Sequence, residues 1–299
     1  MERRHLLFVG SQILVGAALA LNAGPASASI MPENNLYLQD CLECESGVSE
    51  DTFKAIIEKA KVLYTEVVKQ AGGTLTINAR WTDATVNASA QQMFGSWSVN
   101  MYGGLARRPE VTADGFTMVL CHELGHHLAG FPYVSGWAAN EGQSDYFATN
   151  HCSQLFWGDE TEINAQARAV IAATPKAQCD AAWSTQDAQN LCYRTMLAGK
   201  SLGDLLGALK TETVGWDTPA TNVVTATNHA HPAAQCRLDT YMAGAVCTAD
   251  YDKNVIPGKR GTRGYNDREA EEQSALYSCT TQGQYTAGLR SSCWFAPTL

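Results

Sequence analysis

The chain has 299 residues, and its 30 acidic against 21 basic side chains give a formal net charge of −9 at neutral pH. This balance argues against nucleic acid and anionic membranes as partners, because both attract basic surfaces. The length and an apolar content of 45% suffice for a sizeable core in one large domain or two small ones. The oligomeric state is left open.

The N-terminus has the pattern of a secretory signal peptide. MERRH supplies the charged start, residues 6–21 form an apolar run, and GPASAS resembles an A-x-A cleavage site. We expect residues 1–28 to be removed after Ala28, and the mature chain to be exported to a periplasmic or extracellular location without stable membrane insertion. The alternative is an uncleaved anchor, but residues 10–12 interrupt a run that is already short for a membrane span.

The ten cysteines all follow this segment, and an even number in an exported chain indicates disulfide bonds. Their pairing is not given by the sequence. Cys41 and Cys44 form a C-x-x-C motif, which is compatible with a redox pair or half of a metal knuckle. We expect a plain structural disulfide there, because no second such motif and no βαβ pattern accompany it. A disulfide to another helix is also expected for Cys121.

Helices and a small sheet are predicted in the first half of the chain. SEDTFKAIIEKAKVLYTEVVKQAGG has helical spacing of apolar residues, with Ser49 as N-cap and Gly72 beyond the end. TLTINARW, TVNASA and WSVNMY alternate apolar with polar residues, which predicts a small antiparallel sheet across residues 74–105. Thr112 is expected to cap a helix that contains CHELGHHLAG, and Asn140 a second helix, NEGQSDYFATNHC.

The second half of the chain is predicted to be mostly helical. From residue 249 glycine and charged residues become frequent, with one short helix near REAEEQSALY and with Cys279 and Cys293 as an expected staple. We therefore divide the chain into a signal peptide (1–28), a main domain (29–248) and a disulfide-stapled extension (249–299).

CHELGHHLAG carries the H-E-x-x-H arrangement of a metal site. His122 and His126 are four residues apart, so both imidazoles point from one face of a helix and can bind one metal ion. Glu123 lies beside that face, where a carboxylate can take a proton from an attacking water. The alternative is a pair of buried helix histidines with satisfied hydrogen bonds.

A catalytic zinc site has three protein ligands, so a third is needed. A third histidine on the pattern of the metzincins is excluded, because the positions it requires hold Ala129 and Pro132. NEGQSDYFA instead offers Glu141 as a ligand. Asp145, one turn further on the same face, would accept the outer N–H of a ligating histidine or pair with a cation.

The remaining histidines are weaker candidates. His127 follows the motif but lies about 100° around the helix from His126, which favours a core or supporting role. His151 and His229 are alternative ligands.

These motifs resemble two groups of zinc peptidases. HELGH followed by NEGQSD resembles the gluzincin metallopeptidases, and HPAAQCRL is similar to the H-P-x-x-x-x-R motif of the HtpX-like, CAAX-prenyl-protease-like and BepA-like peptidases. The resemblance implies an α+β, zincin-like fold in which the small sheet packs on the active-site helix. It also implies one Zn²⁺ per chain, held by His122, His126 and Glu141, with Glu123 as the general base.

The same resemblance implies roles for residues outside this helix. His231 would stabilise the oxyanion, a task that suits a hydrogen-bond donor near developing negative charge, and Arg237 would hold Asp145. The alternative for His231 is a surface loop histidine. An extended substrate would pair with an edge strand above the active-site helix. The candidate strand comprises Trp97, Ser98, Val99, Asn100, Met101 and Tyr102.

The sequence thus predicts an exported zinc metallopeptidase that acts on a peptide or protein substrate. One alternative is a zinc-binding, chaperone-like or assembly factor of the cell envelope with little peptidase activity. Others are a metal-dependent amidase that acts on cell-wall peptides, and a secreted interaction module in which HELGHH is only a buried helix. The substrate and the bond cleaved are left open.

Overall fold

The computed structural model describes residues 27–39, 48–261 and 263–298. Most of the expected signal peptide (1–26) and the C-x-x-C of Cys41 and Cys44 lie outside the described residues. The strands are β1 (Ser27–Ser29), β2 (Thr74–Arg80), β3 (Ala88–Met93), β4 (Ser96–Tyr102), β5 (Lys259–Arg260) and β6 (Arg263–Gly264).

The helices make up most of the remaining described chain. They are α1 (Glu50–Gln70), α2 (Gly103–Ala106), α3 (Ala113–Leu128), α4 (Glu141–Phe147), α5 (Ser153–Trp157), α6 (Thr161–Gln166), α7 (Ala173–Ala182), α8 (Gln186–Lys210), α9 (Ala234–Ala245) and α10 (Arg268–Ala275). A π-helical turn, Ala148–Cys152, joins α4 to α5, and a 3₁₀ turn, Ala167–Ala169, follows α6. No helix in the described ranges is long and apolar enough to cross a membrane.

The predicted helix starts are confirmed, because short polar side chains cap them. Ser49, Thr112 and Asn140 each accept a hydrogen bond from a backbone N–H in the first turn of α1, α3 and α4 respectively. Beyond the end of α1, Gly72 has a φ of +88°, a conformation that glycine adopts without steric cost. The sequence therefore determines where the helices around the candidate site begin.

The main sheet has the strand order β1-β3-β4-β2. β3 and β4 form an antiparallel hairpin through Phe94 and Gly95, whose φ angles of +49° and +81° suit a two-residue turn. β2 pairs with β4 in parallel, so the expectation of a wholly antiparallel sheet is wrong. Parallel and antiparallel strands share the same two-residue alternation, which is why the sequence pattern did not distinguish them.

The expected position of the substrate strand also needs correction. β4, which contains residues Trp97 to Tyr102, has β3 on one side and β2 on the other, so it is an inner strand rather than an edge strand. Beyond β3 lies only β1, which pairs with it antiparallel over three residues. On that side β1 is therefore the outermost described strand, and it covers the edge of β3.

Helix α3 lies at the centre of the fold. It contacts β3 and β4 on one side and α4 and α8 on the other, and its residues from Gly115 to Leu128 are all buried. A helix covered on every face needs no amphipathic stripe, and its apolar side chains join one large core. The H-E-x-x-H motif on this helix is thereby held in the interior.

Four disulfide bonds link the eight described cysteines. Cys121 on α3 pairs with Cys152 in the π-helical turn, which confirms the expected bond to another helix. The expected staple of Cys279 and Cys293 does not join these two cysteines to one another. Instead, each ties the C-terminal extension to the region of α9, in the pairs Cys236–Cys293 and Cys247–Cys279. The fourth pair, Cys179–Cys192, joins α7 to α8.

Candidate metal centre

Three side chains from α3 and α4 converge in the interior. His122 and His126 come from one face of α3, and Glu141 is the first residue of α4. Each offers one ligand atom, and these atoms lie within 4.8 Å of one another. Both histidines are fully buried and Glu141 is 5% exposed. We call these three residues the candidate metal centre.

The inward-facing atoms of the centre lack hydrogen-bond partners. His122 Nε2, His126 Nε2 and Glu141 Oε2 are all buried, and none makes a hydrogen bond to a described residue outside the centre; within it, His122 Nε2 lies 3.3 Å from Glu141 Oε2. Buried polar atoms without partners are rare, because they lose their bonds to water without replacement. Two imidazole nitrogens and a carboxylate oxygen are a donor set that zinc takes in proteins. The residues therefore fit a bound metal ion.

The outer nitrogen of each histidine is occupied, which leaves the inner one free. His122 Nδ1 lies 2.8 Å from Asp145 Oδ1, and His126 Nδ1 lies 2.8 Å from the carbonyl oxygen of Ala139. Because both of these oxygens can only accept, each Nδ1 carries a proton, which leaves Nε2 as the ring atom that can bind a metal ion. Both rings therefore turn Nε2 towards the centre, as a metal site requires.

A buried network around Asp145 orients His122. Arg237 Nε and Nη2 each donate to one Asp145 oxygen at 2.6 Å, and the Tyr241 hydroxyl donates to Oδ1 at 2.6 Å. Burial alone would raise the pKa of Asp145, but the charges of Arg237 and His122 hold that pKa well below its usual range. Asp145 therefore stays a carboxylate at the outer nitrogen of His122.

The ionisation of His126 and Glu141 suits metal binding, whereas His122 must lose a proton. Burial lowers the pKa of His126 to about 4, which keeps this imidazole neutral. For Glu141, burial favours the neutral acid, but the nearby His126, His122 and Arg237 outweigh it and lower the pKa to about 2. For His122, burial lowers the pKa, but Asp145 and Glu141 outweigh it and raise the pKa to about 9, so at neutral pH a metal ion must displace a proton from this ring.

Glu123 lies next to the centre, not within it. Its Oε1 accepts a hydrogen bond of 2.8 Å from the backbone N–H of Ile30, whereas its Oε2 is buried without a hydrogen-bond partner among the described residues. Burial raises the pKa of this carboxyl to about 8. A carboxyl group with a pKa near neutrality can both accept and return a proton.

His231 reaches the same place from the loop before α9. Its Nε2 lies 2.9 Å from the carbonyl oxygen of Ser29 and 3.5 Å from Glu141 Oε1. Because a carbonyl oxygen accepts, Nε2 is the protonated nitrogen and acts as a donor. The structure thus brings together His231, Arg237 and Asp145 with the candidate centre and Glu123.

A glycine in the motif lets the two ligand-bearing helices approach closely. A Cβ atom on Gly125 would lie 3.0 Å from both the Cα and the carbonyl oxygen of Ser144 on α4. Glycine lowers helix stability by about 1 kcal/mol relative to alanine. Here it allows α3 and α4 to pack closely, which holds Glu141 near the histidines.

The remaining candidate histidines lie outside the centre. His127 stacks between Trp97 and Trp137, with ring centroids 5.4 and 5.1 Å away, and its Nδ1 lies 3.1 Å from Gln92 Nε2. His151 stacks on a tyrosine ring at 3.8 Å. Neither these two nor His229 belongs to the cluster of possible ligands.

Two features of the site had no counterpart in the sequence analysis. Tyr241 lies four residues after Arg237, so the helical spacing places both on one face of α9; this spacing could have identified it. No sequence pattern marked the contacts of Ser29 and Ile30 with His231 and Glu123. The β4 residues do not form the expected edge, since β4 pairs with β3 on the side of the N-terminal segment.

Comparisons with protein-family models, with curated proteins and with solved structures found no match for this chain. What the centre can do therefore rests on its own geometry.

Proposed function

We propose that this chain is an exported zinc metallopeptidase of the gluzincin type, which hydrolyses peptide bonds with the help of Glu123. One observation carries the proposal. His122, His126 and Glu141 each bring a buried ligand atom without a hydrogen-bond partner to one place. Beside them lies the carboxyl group of Glu123, whose Oε1 accepts a hydrogen bond from the backbone N–H of Ile30. The four disulfide bonds support export, because such bonds persist in oxidising compartments.

In this proposal zinc would be held by His122, His126 and Glu141. Such an ion polarises a carbonyl group and lowers the pKa of water to about 7. Glu123 takes a proton from the attacking water and returns it to the amine that leaves. His231 donates a hydrogen bond to the carbonyl oxygen as negative charge develops there. Asp145, fixed by Arg237 and Tyr241, holds the ring of His122.

The donor set supports zinc as the metal. Calcium and magnesium prefer oxygen ligands throughout, whereas two imidazoles and one carboxylate suit zinc. Three protein ligands also leave a position for water, as catalytic zinc sites require.

Metal content and peptide hydrolysis, measured on the same preparations, test the proposal. The variants are Glu141→Gln and Glu123→Gln, with Glu162→Gln as a control because Glu162 is an exposed glutamate on α6. We expect wild type, Glu123→Gln and Glu162→Gln to hold about one zinc per chain and Glu141→Gln to lose most of it. Hydrolysis of a peptide library should fall by a factor of about 10² to 10⁴ in Glu123→Gln and stay unchanged in Glu162→Gln.

Other outcomes identify the alternatives. Zinc binding without hydrolysis of any peptide would favour the zinc-binding assembly factor. Hydrolysis restricted to cell-wall peptides would favour the amidase. A wild-type chain that takes up no zinc would refute the metallopeptidase and leave CHELGHHLAG as a core helix.

A further inference from the structure

The chain places its own N-terminal segment across the candidate centre. β1 pairs antiparallel with β3, in the register Ser27 to Gln91, Ala28 to Ala90 and Ser29 to Ser89. The segment continues past the site to an isolated bridge between Tyr37 and Thr85. An extended peptide that adds to the edge of a sheet in this way is bound mainly by its backbone. The segment thus occupies the edge where a substrate strand would pair.

One peptide group of this segment faces the catalytic groups of the proposed mechanism. The carbonyl oxygen of Ser29 accepts a hydrogen bond from His231 Nε2 at 2.9 Å, and the N–H of Ile30 donates to Glu123 Oε1 at 2.8 Å. These two atoms belong to the same peptide bond. If this bond were hydrolysed, negative charge would develop on the Ser29 oxygen, which accepts from His231. The Ile30 nitrogen, which donates to Glu123, would leave as an amine.

Further contacts on the C-terminal side of this bond help to fix its position. Arg237 Nη1 donates to the carbonyl oxygen of Ile30, and Asn87 Nδ2 donates to that of Met31 at 3.2 Å. The side chain of Ile30 is fully buried and Met31 is 3% exposed. A slip by one residue would reverse the faces of the segment and expose Ile30. The register that presents the Ser29–Ile30 bond is therefore specific.

We propose that the chain cleaves its own bond between Ser29 and Ile30, and that the uncleaved segment covers the centre. This inference rests on the proposed function. Water adds to the carbonyl carbon of Ser29, the bond to the nitrogen of Ile30 breaks, and Glu123 carries the proton from the water to that nitrogen. The products are a carboxyl group on Ser29 and a free amine on Ile30.

The self-cleavage site differs by one residue from the expected signal-peptide cleavage. Removal after Ala28 by another enzyme leaves a chain that begins at Ser29, whereas self-cleavage leaves one that begins at Ile30. N-terminal sequencing by mass spectrometry separates the two products.

The test uses the full chain, made by cell-free translation without membranes under oxidising conditions and then given zinc. The N-terminus is followed over time in wild type, Glu123→Gln and Ile30→Pro; Glu33→Gln is the control, because Glu33 is an exposed carboxylate on the same segment. We expect a chain beginning at Ile30 from wild type and Glu33→Gln. We expect none from Glu123→Gln, which lacks the proton carrier, or from Ile30→Pro, whose nitrogen has no hydrogen to donate. The fraction of chains cleaved per unit time should not change with protein concentration, because the bond and the centre belong to one chain.

A second assay separates failure of this inference from failure of the proposed function. The variant Ile30→Asp, in which a charge replaces a buried apolar side chain of the segment, is tested on an unrelated peptide library. If it hydrolyses those peptides while wild type never yields a chain beginning at Ile30, self-cleavage is refuted and the peptidase stands. If neither assay shows hydrolysis, both proposals fail. A first-order rate constant that rises with protein concentration would also refute cleavage within one chain.

Discussion

Arg237 and Asp145 form a buried pair in which the guanidinium donates one hydrogen bond of 2.6 Å to each carboxylate oxygen. The two side chains are 2% and 0% exposed. The pair joins α9 to α4, and Asp145 in turn contacts the outer nitrogen of His122. It therefore couples the packing of two helices to the orientation of one candidate ligand.

Removal of Arg237 should strongly destabilise the chain. Arg237→Ala leaves the Asp145 carboxylate buried without its main partner, which costs about 3 to 5 kcal/mol for a buried pair. Arg268→Ala is the control, because Arg268 pairs with Glu272 at the surface with 79% and 53% of their side chains exposed, and such pairs contribute less than about 1 kcal/mol. Urea unfolding of both variants measures the difference. Equal losses in the two variants would contradict the role given to the buried pair.

Neutralising Asp145 should weaken metal binding. In Asp145→Asn the amide loses the negative charge that makes His122 a strong donor, so we expect zinc affinity to fall by a factor of about 10 to 100. Competition with a chromophoric chelator measures it. Asp159→Asn, at an exposed aspartate, should leave the affinity unchanged. If Asp145→Asn keeps the affinity of wild type, His122 is oriented without Asp145.

The local part of the site was predictable from the sequence. Helical geometry alone places His122 and His126 on one face, and the caps at Thr112 and Asn140 determine where both helices start. The proximity of Glu141 was expected from the motif, and the structure brings it to the histidines. Each of these features depends on residues that are close in sequence, where spacing fixes direction.

The features that the sequence did not predict depend on distant contacts. Ile30 and Glu123 are 93 residues apart, and no periodicity links a short N-terminal stretch to a buried glutamate. The order of the strands depends on β2 and β3 lying on opposite sides of β4. The alternation of side chains along a strand is the same for any order, so it does not predict this one. The backbone atoms of Ser29 and Ile30 make these contacts, so the pattern of side chains in the sequence does not indicate them.

A methyl group at Gly125 should disturb the centre through helix packing. In Gly125→Ala the new Cβ would lie 3.0 Å from the backbone of Ser144, so α3 and α4 must separate slightly and carry Glu141 away from the histidines. We expect weaker zinc binding, although alanine improves helix propensity by about 1 kcal/mol. Gly136→Ala is the control, because its nearest contact, to the Arg263 side chain, is an ordinary 3.5 Å. Unchanged zinc affinity in Gly125→Ala, measured by chelator competition, would show that the helices tolerate the methyl group.

Displacing the N-terminal segment should open the centre to other peptides. This is best measured as binding in the Glu123→Gln background, where no cleavage is expected. Adding Ile30→Asp removes the burial of an apolar side chain worth about 1.5 to 3 kcal/mol, so a fluorescent peptide should bind at least about tenfold more tightly. Adding Leu36→Asp instead is the control, because Leu36 lies on the same segment but is 42% exposed. If Ile30→Asp and Leu36→Asp bind the peptide equally, the segment does not compete for the site.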